Sequence, residues 1–178
     1  MAVSVLVVTV ILWIITGRIG SAAQPTSLQV KSPAFAASSA IPERYTCVGE
    51  DASPPLAWSA VPAGTKTLVV LVDDPDAPSG TFTHWIVYNI PADTQGLAEN
   101  ALKVAAPPVG YLQAMNDFGR VGYNGPCPPP GAPHHYHFKL YALATSLNLA
   151  HDATVRDLEA AMRGRILASG EMIATFQR

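Results

Sequence analysis

Residues 136–143 alternate strictly between apolar and polar. Tyr136, Phe138, Leu140 and Ala142 fall on one face, and His137, Lys139 and Tyr141 fall on the other with His135. A period of two marks a strand with one buried face. His134 thereby joins Tyr136 on the core side, while His135 and His137 turn toward solvent or a neighbouring layer. Residues 68–72 and 83–90 are instead apolar on both faces, which predicts central strands covered from two sides. Shorter strands are predicted over residues 27–30, at an edge over 41–46, and opening at 54–58, with a turn over 61–65. Residues 91–133 form the longest irregular stretch, a length that in a compact domain usually carries function or short local structure.

One helix stands out. Thr154 with Asp157 three residues later makes a capping box, and Val155, Leu158, Ala161 and Met162 form the apolar stripe. It is predicted to run to about Leu167 and to end at Gly170, with a last strand over 171–176. Many short strands and one late helix describe a mainly β protein, an antiparallel β-sandwich with one or two short helices. No internal repeat or second domain is visible.

Composition narrows this picture. The 178 residues suffice for one domain with a full core. Sixteen prolines and thirteen glycines fit a turn-rich chain. Charged residues are only 13%, the net charge is −2, and no basic run appears, so nucleic-acid binding has little support. Residues 1–23 read as a secretory signal peptide, apolar and ending in Ser21-Ala22-Ala23, with cleavage before Gln24. The leader lacks Lys or Arg before its apolar run. The competing reading is an uncleaved membrane anchor, although the run is shorter than the roughly 20 residues a span needs. Cleavage leaves a single domain over 24–178, periplasmic or secreted. In an oxidising compartment Cys47 and Cys127 are expected as a disulfide; two buried free thiols are the alternative.

Candidate chemistry sits in two proline-stiffened loops. Asp74-Pro75-Asp76-Ala77-Pro78 follows the first doubly apolar run. An aspartate ending a buried strand needs a partner, although Asp74 or Asp76 could simply close an Asx turn. His84 opens the next run. If the two strands pair, the carboxylate and imidazole meet, and the carboxylate orients the ring toward a ligand; a satisfied core histidine is the alternative. His134 and Tyr136 add a donor and a hydroxyl, and amides near Gly125, in a loop stiffened by Pro126, Pro128, Pro129 and Pro130, complete a place for a phosphate or carboxylate. A metal is not expected, because alternation sends His135 and His137 away from His134. No Gly-x-Ser-x-Gly elbow is present, so an Asp–His pair without a nucleophile points to binding rather than cleavage. No cofactor is implied.

These residues resemble the phosphatidylethanolamine-binding proteins, most closely their bacterial Raf-kinase-inhibitor-like branch. The matching segments are Tyr45-Thr46-Cys47, Ser53-Pro54-Pro55-Leu56-Ala57-Trp58, Asp73-Asp74-Pro75-Asp76-Ala77-Pro78 and His84-Trp85-Ile86-Val87-Tyr88-Asn89-Ile90-Pro91. Asn116-Asp117-Phe118-Gly119, Gly122-Tyr123-Asn124-Gly125-Pro126-Cys127-Pro128-Pro129 and His134-His135-Tyr136 complete a match over residues 27–178. The resemblance implies a sandwich with Greek-key connections and a small pocket for phosphate, acetate or phosphoethanolamine. It places Asp74, His84, His134 and Tyr136 in the pocket, with Asp76, Ala77, Pro78, Gly125 and Pro126 lining it, and a cis peptide at Ala77–Pro78. Eukaryotic members close the pocket with a C-terminal helix, so a more open pocket is expected here. The 92–121 segment lacks the eukaryotic pattern, which weakens a carry-over of kinase regulation. The expected function is an exported, non-catalytic anion-binding protein. The alternatives are a module inhibiting a kinase or protease through surface loops, and a weak enzyme using Asp74 and His84 as a base.

Overall fold

The two doubly apolar runs form the centre of the larger of two sheets. A computed structural model describes residues 26–150 and 152–178, so the signal peptide read over 1–23 lies outside the described residues. In chain order the strands are β1 (Thr26–Ser27), β2 (Val30–Lys31), β3 (Leu56–Trp58), β4 (Thr67–Asp74), β5 (Phe82–Pro91), β6 (Gly96–Leu97), β7 (Leu112–Gln113) and β8 (His134–Leu143). The helix α1 (Val155–Met162) and strand β9 (Ile166–Phe176) follow. The large sheet runs β1-β9-β8-β4-β5-β7 and the small one β2-β3-β6. Pairing is antiparallel except for β1 beside β9. Strands β4, β5 and β7 are neighbours, and β8 returns to lie beside β4, which is a Greek key.

β4 shows why its sequence carries no alternation. Leu68, Val70 and Val72 enter the core between the two sheets, while Val69 and Leu71 pack on the opposite face with Leu158 and Met162 of α1. Both faces are dry, and each such side chain contributes about 1.5–3 kcal/mol by leaving water. β8 keeps its predicted alternation: Tyr136, Phe138 and Leu140 are buried, His135 is exposed.

Four expectations at element ends need correction. Residues 27–30 are not one strand: β1 joins the large sheet and β2 the small one. Residues 41–46 form a 3₁₀ turn, Glu43–Tyr45, rather than an edge strand, because Pro42 sets the turn and the Thr46 hydroxyl donates to the Glu43 carbonyl at 2.8 Å. The helix keeps its capping box but stops at Met162, since Gly164 takes φ +70 and Arg165 N–H bonds back to the Met162 carbonyl. β9 therefore starts at Ile166, not 171. Gly170 lies inside it because a Cβ there would sit 2.0 Å from the Leu28 carbonyl oxygen.

Candidate functional site

β4, β5 and β8 deliver the site residues to one end of the large sheet. Between Val72/Trp85 and Asp73/Thr83 the β4–β5 register slips, leaving His84 as the extra residue of a bulge. Bulges re-aim side chains next to sites. Here the His84 ring meets Tyr136 of the inter-sheet core edge-on, with centroids 5.3 Å apart.

Asp74 is buried, and both of its oxygens are engaged. Oδ2 accepts from His134 Nδ1 at 2.8 Å, and Oδ1 accepts from the Asp76 N–H at 2.9 Å in an Asx turn. The expected Asp74–His84 hydrogen bond is absent. Asp74 stands opposite Phe82, and the bulge places His84 against the other loop, where Nδ1 lies 2.7 Å from the Asn124 carbonyl. A carbonyl only accepts, so the neutral ring holds its proton on Nδ1 and leaves Nε2 as a lone pair. His134, held likewise through Nδ1, leaves its own Nε2 edge available.

A cavity of about 280 Å³ opens here, lined by Asp74, Ala77, Pro78, Ser79, Phe82, His84, Phe118, Cys127, Pro128, Pro129 and His134. Its size is at the small end for ligand sites, matching a head group rather than a whole lipid. Tyr136 does not line it; its buried hydroxyl makes no hydrogen bond of good geometry, although it lies near enough to Asp74 to feel its carboxylate. Burial first, and the Asp74 charge second, push that hydroxyl's pKa up, so it stays a donor.

Three other predicted residues lie elsewhere. Asp76 turns outward to the His135 ring at 2.7 Å, which holds its carboxyl below the usual range. The Gly125 N–H is not open to a ligand: it donates to Asp51 Oδ1 at 2.6 Å. Gly125 is glycine because a Cβ would fall 2.3 Å from the Tyr45 carbonyl oxygen. Pro126 does not line this cavity either; its carbonyl accepts the Cys47 N–H at 3.1 Å. The Ala77–Pro78 bond is trans. Pro78 is the second residue of a turn closed by Gly80 N–H to the Ala77 carbonyl at 3.0 Å, a position that takes trans proline.

Sequence reasoning missed the aromatic lip. Phe82 and Phe118 each approach His84 with centroids at 5.4 Å and each other at 4.8 Å. Asn116 fixes that lip: its Oδ1 accepts the Phe118 and Arg120 amides, and its Nδ2 donates to the Gly122 carbonyl at 2.9 Å. The Asn-Asp-Phe-Gly segment was the available signal. Asp51 gave none, since its partners Lys103, Asn124 and Gly125 lie 52 to 74 residues away. Cys47 and Cys127 form a disulfide that ties the proline loop to the 3₁₀ turn.

Burial depresses the His84 pKa below its ordinary 6.5, more than the Asn124 carbonyl and the Asp74 charge raise it. The folded protein therefore binds fewer protons than the unfolded chain once pH falls below about 6.5. The stability His84 contributes is full above that pH and declines as pH drops toward the folded value. The urea midpoint is expected to fall between pH 7.5 and pH 5.5, and to fall less in His84→Asn; an equal fall in both proteins would contradict the assignment.

The sequence profile described as "Phosphatidylethanolamine-binding protein" matches residues 31–177, and the chain belongs to that family. Similar curated proteins include a UPF0098 protein of Pyrococcus horikoshii, 48% identical over 165 residues, covering 91% of this chain and 82% of the relative. A UPF0098 protein of Aquifex aeolicus is 50% identical over 154 residues, covering 85% and 89%. Among crystal structures, a putative phosphatidylethanolamine-binding protein homologue from Chlamydia trachomatis superposes with TM-score 0.78 at 39% identity, covering 86% of this chain and 99% of that one. E. coli YbcL, a member of the mammalian PEBP family, superposes with TM-score 0.80 at 34% identity, with the same coverage.

Proposed function

We propose that the protein binds a small phosphoryl-type anion or phospholipid head group at the Asp74, His84, His134 and Tyr136 cluster. The observation that carries this is the pair of cavity-lining histidines, His84 and His134, whose Nδ1 atoms are already held so that their Nε2 edges remain for a ligand. An anion at His84 would also draw a proton onto Nε2, turning it from acceptor to donor.

The reading is of a binding protein without catalysis. Ser79 lines the cavity, but among the described residues no histidine or carboxylate hydrogen-bonds its hydroxyl to activate it. Export to the periplasm or medium is supported by the sequence of residues 1–23 and by the disulfide. A second reading, a protein-interaction module directed at a kinase or protease, is favoured by Leu102, Val104 and Val109, which are 57%, 47% and 60% exposed in one loop. Replacing the 92–121 loop in a pull-down tests it.

For the leading reading, His84→Ala is expected to weaken phosphoethanolamine binding by about tenfold or more, the loss of one charge-assisted hydrogen bond, and Asp74→Ala to weaken it because His134 loses the carboxylate that orients its ring. Calorimetry on variants shown to be folded measures this. Wild-type affinity in both variants rejects the site.

A further inference from the structure

A second cavity, of about 300 Å³, adjoins the first. Phe118 and Cys127 line both, so the two cavities are neighbours. Two charged residues face the second cavity, Asp51 and Arg120. The Asp51 carboxylate is already engaged by the Gly125 N–H at 2.6 Å, Asn124 Nδ2 at 3.0 Å and Lys103 Nζ at 2.6 Å. Its charge is balanced and its acceptors are occupied.

Arg120 is in the opposite condition. Its backbone N–H bonds to Asn116 Oδ1 at 3.2 Å, which fixes where the side chain begins. Among the described residues its guanidinium forms no ion pair and no side-chain hydrogen bond. Arg120 is also the one arginine or lysine that lines either cavity. A guanidinium presents a planar fork of donors that suits carboxylate and phosphate oxygens. Its hydrogen-bonding capacity here is directed by no partner of its own.

We propose that the second cavity is a subsite for a second anionic group, so that the preferred ligands are phosphoryl compounds bearing a further carboxylate or phosphate. The phosphoryl group sits in the first cavity, as in the function proposed above on which this inference rests, and the other anion pairs with Arg120.

O-phosphoserine and phosphoethanolamine test this directly, because they differ by one carboxylate. Titrated into the wild-type protein at low salt, O-phosphoserine is expected to bind about fivefold tighter, the upper range for a solvent-exposed ion pair. Arg120→Ala is expected to bring O-phosphoserine to within about twofold of phosphoethanolamine, and Arg120→Lys to keep part of the preference because the charge remains. Arg120 is exposed, so thermal midpoints should show all three proteins equally folded. Equal affinity of the two compounds for wild type, or a preference that survives Arg120→Ala, overturns the subsite while leaving the head-group cavity standing. If neither compound binds, the proposed function falls and the subsite falls with it.

Discussion

Replacing Cys47 and Cys127 together by alanine is expected to destabilise the protein by about 4–5 kcal/mol. The bridge joins residues 80 positions apart, so without it the unfolded chain regains the entropy of a very long open loop. The loss should be felt first at the site. The disulfide ties the proline loop, which supplies Pro128 and Pro129 to the cavity, to the turn whose Tyr45 carbonyl receives the Tyr123 hydroxyl at 2.8 Å. Urea unfolding of wild type with and without reductant, beside the double variant, gives the number. A change below about 1 kcal/mol would mean that hydrogen bonds such as Cys47 N–H to the Pro126 carbonyl hold the loop alone.

Lys139→Met is expected to cost about 3 kcal/mol, for a different reason. On the helix-facing side of the large sheet Lys139 Nζ reaches Asp73 Oδ2 at 2.6 Å, and the other Asp73 oxygen is buried with no partner. Removing the cation leaves a desolvated carboxylate uncompensated. The lower end of the range for buried pairs applies because the Lys139 side chain is 27% exposed and water can partly replace it. Asp73→Asn combined with Lys139→Met should recover most of the loss, since the charge is then gone from both sides. If Lys139→Met alone is neutral by chemical denaturation, the pair does not support the sheet as described.

The sequence made the strands legible wherever one physical cause dominated. Alternation in β8 and its absence in β4 report how many faces are buried, and both survived folding. The capping box at Thr154 is local chemistry and was equally plain. Failures fell where a distant contact decided the outcome. Gly170 reads as a helix terminator in the sequence, yet the helix stops before Gly164, and the close approach of the Leu28 carbonyl shows that Gly170 belongs to a strand. The sequence points Asp74 at His84, whereas Asp74 meets His134, because a one-residue bulge cannot be counted from hydrophobicity. Asp51 is invisible for the same reason: its role consists of contacts with loops far along the chain.

The function proposed above requires that the cavity lined by His84 and His134 is a working anion site. Its most direct test is an NMR titration of the protein with phosphoethanolamine, following the histidine ring signals. Saturable shifts at His84 and His134, with His135 and His137 unmoved on their outward carboxylate partners Asp76 and Glu171, are the predicted result. No shift at millimolar ligand, or equal shifts at His84, His134, His135 and His137, would contradict it.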